Sequence, residues 1–186
     1  GAGTGMRAYA FKAGIGTSSR KLPNGHTVGV LVNANCGRRP NLTINGVPIG
    51  QAIPKDEKPP TRDGSIIVVI STDAPLLPHQ LRRLCNRASF GITRTGTISR
   101  TSSGDFAIAF STAHTITRDR ATQDTVITLR DRQLNGLFQA TIEATEEAIV
   151  NALFVAETMT GRDSRVMPAL PHDRVIDILK KYGRIK

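Results

Sequence analysis

The sequence predicts an α/β fold of the α+β kind, in which sheets are covered by helices. Apolar, β-branched runs such as SIIVVIST at residues 65–72 are typical of strands. Elsewhere, apolar residues recur at helical spacing over long stretches. The chain of 186 residues is long enough for one hydrophobic core, so we treat residues 1–186 as a single domain.

Short strand patterns open the chain. Residues 6–12 alternate loosely between polar and apolar side chains and could form a strand. Residues 14–20 are small and polar, which predicts a turn. Residues 26–33 are rich in β-branched side chains and predict a second strand.

A hairpin and a loop are predicted next. The dipeptide Asn45-Gly46 lies inside the apolar stretch 42–49 and favours a tight hairpin turn. Residues 50–64 combine prolines with charged side chains, so no helix or strand is expected there. An exposed loop that ends directly before Ser65 is a place where a break in the chain would be tolerated.

The rest of the chain alternates between strand and helix patterns. The run at residues 65–72 is continuously apolar and is predicted to be a strand buried on both faces. The longest helical pattern is followed by Gly161, which is a stop signal. The other predicted elements are a helix at 78–91, a strand at 105–112, a short strand at 125–129, a long helix at 133–160 and an amphipathic helix at 171–182.

The composition argues against two classes of partner. A net charge of +10 would suit a polyanion, but the arginines are dispersed and aromatic residues make up only 4% of the chain. A solvated basic surface is therefore the preferred interpretation, and nucleic acid is not expected as a partner. The apolar runs are too short to span a bilayer, so no membrane partner is expected either.

Metal and disulfide chemistry are not indicated by the sequence. Cys36 and Cys85 fit neither a disulfide framework nor a CxxC metal site. Two reduced thiols are expected, with a single bridge as the alternative. The histidines are scattered and show no metal-binding spacing. We therefore predict neither a metal nor a cofactor.

Three segments hold the groups that a hydrolytic site needs. Ser65 stands at the head of its strand, residues 101–105 bring hydroxyls and a carboxylate before another strand, and residues 33–37 bring side-chain amides. If the Gly64–Ser65 bond breaks, Ser65 gains a free α-amine whose pKa lies near neutrality and which can activate its own hydroxyl. An amide can donate to a developing oxyanion. Each segment alone also has the composition of an ordinary turn.

Taken together, these segments resemble a known family. The resemblance covers essentially the whole chain, in order, and the family is the L-aminopeptidase/D-esterase family, which includes the β-peptidyl aminopeptidases. The segments that carry it are Gly5-Met6 with residues 11–20, residues 27–37, residues 63–69 with 72–76 and 78–81, and residues 103–105 with 109–113.

The resemblance implies a fold and a processing event. The implied fold is a four-layer helix–sheet–sheet–helix sandwich like that of the N-terminal-nucleophile (Ntn) hydrolases. The precursor would cut itself at Gly64–Ser65. Residues 1–64 would then end an N-terminal (α) chain, and residues 65–186 would form a C-terminal (β) chain that begins at the nucleophile.

The resemblance also implies roles for particular residues. Ser65 would be the nucleophile, and Ser103 and Asp105 match the positions that assist it by holding or relaying a proton or by orienting the reacting groups. Asn35 best matches the asparagine that donates to the oxyanion, and Asn33 is the alternative.

Family members are roughly as long again on the N-terminal side, so this chain resembles the C-terminal portion. We expect the N-terminal half of the family fold as an associated chain, and a homo-oligomer that is a tetramer or larger. The compartment is not fixed by the sequence. A soluble protein is expected, in the cytoplasm rather than the periplasm.

The predicted function is that of a self-processing serine aminopeptidase, amidase or esterase. It would release N-terminal residues, including D- or β-amino acids, from small peptides, amides or esters through an acyl-enzyme on Ser65. Two alternatives remain open at this point. One is an acyltransferase of the ornithine acetyltransferase type, although those enzymes use threonine as the nucleophile. The other is a basic module that binds polyanions.

Overall fold

A four-stranded sheet forms the centre of the fold in the computed structural model, which describes residues 1–53, 64–116, 118, 123 and 125–186. The strands are β1 (Arg7–Ala8), β2 (Phe11–Lys12), β3 (Ile15–Lys21), β4 (Thr27–Asn35), β5 (Ser65–Thr72), β6 (Phe106–Ser111), β7 (Met159–Thr160) and β8 (Val166–Met167). The helices are α1 (Ile49–Ala52), α2 (Pro78–Arg94), α3 (Leu134–Phe154) and α4 (His172–Lys181).

The central sheet has the strand order β3-β4-β5-β6. Strand β4 is antiparallel to both β3 and β5, whereas β5 and β6 are parallel. Helix α2 lies between β5 and β6 in the chain, because parallel neighbours need a crossover connection. The amino ends of β5 and β6 and the carboxyl end of β4 therefore lie at the same edge of the sheet.

One face of the sheet is covered by helices. Helix α3 packs against α2, β3 and β4, and strand residues on the covered face of the sheet, such as Val32 and Val68, are fully buried. The approach of α3 to β3 is close, since a Cβ atom on Gly16 would lie 2.0 Å from the carbonyl oxygen of Ala148. Residues 14–20 were predicted to be a turn because they are small and polar, but residues 15–21 form strand β3. The small residues are needed because α3 crosses the strand closely at Gly16.

The opposite face of the sheet is open in the described residues. Phe106 on β6 is 64% exposed and Ile67 on β5 is 44% exposed, and Leu31, Ile108 and Phe110 are exposed on the same face. The prediction that residues 65–72 are buried on both faces is therefore wrong for this chain. The strand alternates between buried and accessible residues because the described chain supplies a helical layer on one side only.

Residues 6–12 form a tight hairpin rather than one strand. Strands β1 and β2 pair antiparallel, and Tyr9 and Ala10 between them have positive φ angles of 54° and 59°. The Arg39 guanidinium fixes this turn by donating to the carbonyl oxygens of Tyr9 and Ala10, both at 2.7 Å. Two residues that rarely adopt this conformation are thus held in it by a buried cation.

Other predicted elements differ from the structure at their ends. In the described part of the chain, residues 125–129 form no strand, and the Leu129 N–H donates to the carbonyl oxygen of Pro75 at 2.9 Å. The long helix ends at Phe154 rather than at residue 160, because Val155 is exposed and the chain has no further apolar face to bury. Residues 50–52 belong to α1 and not to a loop, while residues 54–63 of the predicted loop lie outside the described residues.

The predicted turn at residues 45–46 and three of the predicted elements are confirmed by the structure. Asn45 and Gly46 have positive φ angles and join the bridge between Ile44 and Val47. Both cysteines are free thiols. Strand β5 and helices α2 and α4 lie close to their predicted positions. In the part of the chain that the structure describes, no helix is long and apolar enough to cross a membrane.

Candidate active site

The predicted site residues come from three strand ends that meet at one edge of the sheet. Ser65 is the first residue of β5, and Asn35, its partner in the antiparallel register, is the last residue of β4. Residues 103–105 directly precede β6, which runs parallel to β5. The topology therefore brings Ser65, Asn35, Ser103 and Asp105 together, although they are far apart in the sequence.

The segment before β6 is hydrogen-bonded to the beginning of β5. The backbone N–H of Gly104 donates to the Ser65 hydroxyl oxygen at 2.9 Å. The N–H of Ile66 donates to Asp105 Oδ1 at 3.0 Å. These two bonds fix the position and orientation of Ser65 relative to the carboxylate.

Ser103 lies beside the peptide bond that precedes Ser65. Its hydroxyl oxygen is 2.8 Å from the carbonyl oxygen of Gly64 and 2.7 Å from Asp105 Oδ1. A hydroxyl has one proton, so it donates to one of these acceptors at a time. Donation to Gly64 polarises the carbonyl group of the Gly64–Ser65 bond, which makes its carbon a better electrophile.

Gly64 is packed against Asn35. A Cβ atom at position 64 would lie 1.7 Å from the Asn35 carbonyl oxygen and 2.7 Å from its side-chain nitrogen Nδ2. No side chain fits at this position without a shift of the backbone. The close approach places the Asn35 amide group next to the peptide bond before Ser65.

The two candidate asparagines have different surroundings. Asn35 Oδ1 accepts a hydrogen bond from the backbone N–H of Arg7 at 3.2 Å, which leaves the Nδ2 end of the amide directed towards Gly64. Asn33 lies two residues earlier on the same face of β4, opposite Ile67, and its Oδ1 atom is buried without a hydrogen-bond partner. The structure thus brings Asn35, and not Asn33, against the residue that precedes Ser65.

Cys36 is close to the site but is not suited to be its nucleophile. Its thiol is 3% exposed. Burial, and then the nearby charge of Asp105, raises the pKa of the Cys36 thiol to about 12. A thiol with such a pKa carries almost no reactive thiolate near neutral pH. The hydroxyl of Ser65 therefore stays the predicted nucleophile.

A small cavity lies beside the residues that precede Ser65 and β6. A cavity of about 10 Å³ adjoins Gly64 and Ser103 and is also lined by Thr97, which is room for about one water molecule. Three larger clefts, of about 290 to 340 Å³, are lined by residues other than Ser65, Ser103, Asp105 and Asn35. None of these three clefts provides a substrate pocket at Ser65.

Sequence reasoning missed the backbone donors of the site. The N–H groups of Gly104 and Arg7 each donate a hydrogen bond to a predicted site residue. Almost every residue type has a backbone N–H group, so the sequence does not show which of them act as donors. The one available signal is the glycine between Ser103 and Asp105. A Cβ atom there would lie 3.5 Å from the Ser65 hydroxyl oxygen, so glycine keeps this approach uncrowded.

A change at Gly64 tests the close packing at the predicted cleavage site. Gly64→Ala is expected to slow cleavage of the Gly64–Ser65 bond by roughly 10²-fold, the cost of a displacement of about 1 Å at a reacting group. The measurement is the fraction of cut chain against time on a denaturing gel. Gly161→Ala is the control, because a Cβ atom at that position meets only the Arg165 carbonyl oxygen at 3.8 Å. Equal rates for the two variants would contradict the proposed constraint.

Comparison with known proteins points in one direction. The model of peptidase family S58 matches residues 1–167. The β-peptidyl aminopeptidase BapA of Sphingosinicella xenopeptidilytica is 44% identical over 198 residues, which cover 97% of this chain and 49% of that protein.

Two solved structures are similar to nearly the whole chain. A protein from Pyrococcus horikoshii is 47% identical with a TM-score of 0.92, over 100% of this chain and 52% of its own. The L-aminopeptidase D-Ala-esterase/amidase of Ochrobactrum anthropi, described as a prototype of the serine aminopeptidases and a variant of the Ntn-hydrolase fold, is 42% identical with a TM-score of 0.86, over 99% and 52%. The chain spans about half the length of each relative.

Proposed function

Because the chain belongs to peptidase family S58, we propose that it carries the nucleophile of a self-processing serine aminopeptidase. One observation supports this proposal above the others. The hydroxyl group of Ser103 lies 2.8 Å from the carbonyl oxygen of Gly64, directly before a serine whose own hydroxyl is held by the Gly104 N–H. An attack of Ser65 on the preceding carbonyl needs a donor at that carbonyl oxygen, and the Ser103 hydroxyl supplies one.

Self-cleavage would proceed by an acyl shift. The Ser65 hydroxyl oxygen attacks the carbonyl carbon of Gly64, and the negative charge that develops on the carbonyl oxygen is stabilised by the Ser103 hydroxyl. The C–N bond of Gly64–Ser65 breaks, and its nitrogen takes the proton that the hydroxyl gives up. Water then hydrolyses the resulting ester, leaving a carboxylate on Gly64 and a free amine on Ser65.

Turnover would use the same groups in a second role. The free amine of Ser65 accepts the proton of its own hydroxyl as that oxygen attacks a substrate carbonyl. The Asn35 Nδ2 group donates to the oxyanion, and Asp105 orients the groups that carry the proton. The leaving amine or alcohol departs with a proton, and water releases the acyl group from Ser65. Substrates would be small peptides, amides or esters with a free amino group, including those of β- or D-residues.

The open face of the sheet supports the proposal of a second polypeptide segment. Contiguous apolar surface of this kind marks an interaction site in soluble proteins. The exposed side chains of Phe106 and Ile67 begin directly beside Ser65 and continue along β5 and β6. We propose that the other half of the family fold covers this face and completes the substrate pocket. The predicted homo-oligomer remains a prediction, which light scattering of the purified protein would check.

The proposal is tested by mass spectrometry combined with an activity assay. We expect a purified active sample to contain two chains under denaturing conditions, one of which begins at Ser65. The same sample should release p-nitroaniline from L-, D- or β-aminoacyl p-nitroanilides and should not transfer acetyl groups to amino acids. A single uncut mass in an active sample would contradict self-cleavage, and the absence of hydrolysis in a fully cut sample would contradict the proposed activity.

Loss of the Ser103 hydroxyl is expected to impair cleavage. Ser103→Ala removes the donor to the Gly64 carbonyl oxygen, so the rate of cutting should fall by roughly 10²-fold. Ser102→Ala is the matched control, because that serine is the exposed neighbour in the same segment. The rate is measured by quantifying uncut chain after synthesis. Normal cutting of the Ser103 variant would remove this residue from the proposed mechanism.

A further inference from the structure

Lys12 is a buried cation that, among the described residues, donates its hydrogen bonds to backbone carbonyls. The residue is 9% exposed, and its Nζ group donates to the carbonyl oxygens of Gly3 at 3.1 Å, Met6 at 3.2 Å and Ala13. Burial lowers the pKa of Lys12. Burying a charge is costly unless its hydrogen bonds are made, and here three backbone carbonyl groups make them. The buried ammonium group in turn fixes the positions of these carbonyl groups.

The glycine-rich beginning of the chain supplies the group of carbonyls around Lys12, here called the nest. Gly3 and Gly14 cross so closely that a Cβ atom on Gly14 would lie 2.9 Å from the Gly3 carbonyl oxygen. Both glycines have positive φ angles, 86° and 150°. The N–H of Ala34 donates to the Gly14 carbonyl at 2.8 Å, which ties this nest to β4 one residue before Asn35.

One peptide group connects Lys12 to Asn35. The carbonyl oxygen of Met6 accepts the Lys12 ammonium at 3.2 Å. The N–H of the same peptide unit, which belongs to Arg7, donates to Asn35 Oδ1 at 3.2 Å. A peptide unit is planar, with its C=O and N–H groups pointing in opposite directions, so fixing one end fixes the other. The chain of bonds runs from the cation through a peptide and an amide towards Gly64.

We propose that Lys12 is a positioning residue that acts through the Met6–Arg7 peptide to orient the side-chain amide of Asn35 and to strengthen it as a hydrogen-bond donor. A cation on the carbonyl polarises the peptide, so its N–H donates more strongly to Asn35 Oδ1. An amide that accepts at its oxygen becomes a better donor at its nitrogen. The inference rests on the proposed function, in which Asn35 Nδ2 stabilises the oxyanion.

A double-mutant cycle separates this role from a purely structural one. In the assembled enzyme, Lys12→Met is expected to lower kcat by roughly 10- to 100-fold with little change in KM. This is the range measured when residues that orient the ligands of a metal site are mutated. In an Asn35→Ala background the same substitution should cost nothing further, because the group through which Lys12 acts is gone. Rates are expressed per cut Ser65 terminus, so that incomplete processing does not count as lost turnover.

Arg39→Met supplies the matched control. Arg39 is also a buried cation that donates to backbone carbonyls, but to those of Tyr9, Ala10 and Ile53 and not to that of the Met6–Arg7 peptide. The Arg39→Met substitution should lower the thermal midpoint of unfolding and leave kcat within about threefold of the parent value. If Lys12→Met fails to fold, Lys12→Gln, which keeps N–H donors and removes the charge, takes its place in the cycle.

The possible results are distinct. The inference would be overturned if the Lys12 variant lost kcat equally in the parent and in the Asn35→Ala background. It would also be overturned if Arg39→Met lowered kcat as much as the Lys12 variant and this loss, too, disappeared in the Asn35→Ala background. A parent enzyme that is fully cut and hydrolyses no aminoacyl substrate would instead overturn the proposed function. A loss of kcat for the Lys12 variant that disappears in the Asn35→Ala background is the result that supports the positioning role.

Discussion

Ser65→Ala is expected to leave the chain uncut and to abolish turnover. The substitution removes the hydroxyl that would attack both the Gly64 carbonyl and the substrate, and loss of a catalytic nucleophile costs roughly 10⁶-fold in kcat. The fold should persist, because Ser65 is only partly buried and the apolar residues of β5 are unchanged. Denaturing mass spectrometry and an aminoacyl p-nitroanilide assay on the same sample measure the two effects.

Ser71→Ala is the control for this experiment. Ser71 lies on the same strand and the same open face, and its hydroxyl donates to the Gly29 carbonyl at 3.4 Å, away from the site. We expect this variant to be cut and to turn over substrate at the parent rate. If the Ser65 variant retains turnover while the Ser71 variant loses it, the nucleophile has been assigned to the wrong residue.

The fold class was predictable from the sequence, and similarity to solved structures confirms it. Helix α2 was found because burial of one side imposes an apolar pattern with the helical period, and strand β5 because its apolar, β-branched run is continuous. Strand β3 was not found, because contact with α3 selects small residues such as Gly16, which are also typical of turns. The exposure of one sheet face was not predictable either. An apolar strand has the same sequence pattern whether the layer that covers it belongs to the same chain or to another one.

The candidate site was only partly accessible to sequence reasoning. Hydroxyl, carboxylate and amide groups can be recognised by residue type, and the structure does bring their segments together. The Ser103 hydroxyl bonds Asp105, and the backbone N–H groups of Gly104 and Ile66 bond Ser65 and Asp105 respectively. Backbone donors such as the Gly104 N–H carry no such signal. The family resemblance favoured Asn35 over Asn33, but the strand pattern alone does not separate them. Residues two apart on a strand share a face, and the register shows which one lies opposite Ser65.

The contacts of Ser103 suggest how one set of groups could serve two reactions. While the Gly64–Ser65 bond is intact, the Ser103 hydroxyl has the Gly64 carbonyl and Asp105 as its two acceptors. In the proposed mechanism, cutting replaces this carbonyl by a free carboxylate end and converts the Ser65 nitrogen into an amine. Ser103 is then released from its role at the scissile carbonyl and is available to the new amine, so cleavage itself would assemble the site used in turnover.

Asn35→Ala is expected to reduce turnover by roughly 10³-fold, because removal of a single oxyanion donor has this effect in other hydrolases. Processing should suffer less, since Ser103 is the donor next to the Gly64 carbonyl oxygen in the uncut chain. The measurement is kcat for an aminoacyl p-nitroanilide, normalised to the amount of cut Ser65 terminus.

Asn33→Ala is the matched control, since it removes the same side chain from the same strand face two residues away. The buried Asn33 Oδ1 atom has no hydrogen-bond partner, and leaving such an atom unpaired costs about 1–3 kcal/mol. Its removal should therefore preserve or raise the thermal midpoint and leave kcat near that of the parent. If the Asn33 variant loses turnover and the Asn35 variant keeps it, the oxyanion donor is Asn33, and the chain of bonds from Lys12 ends at a residue without a catalytic role.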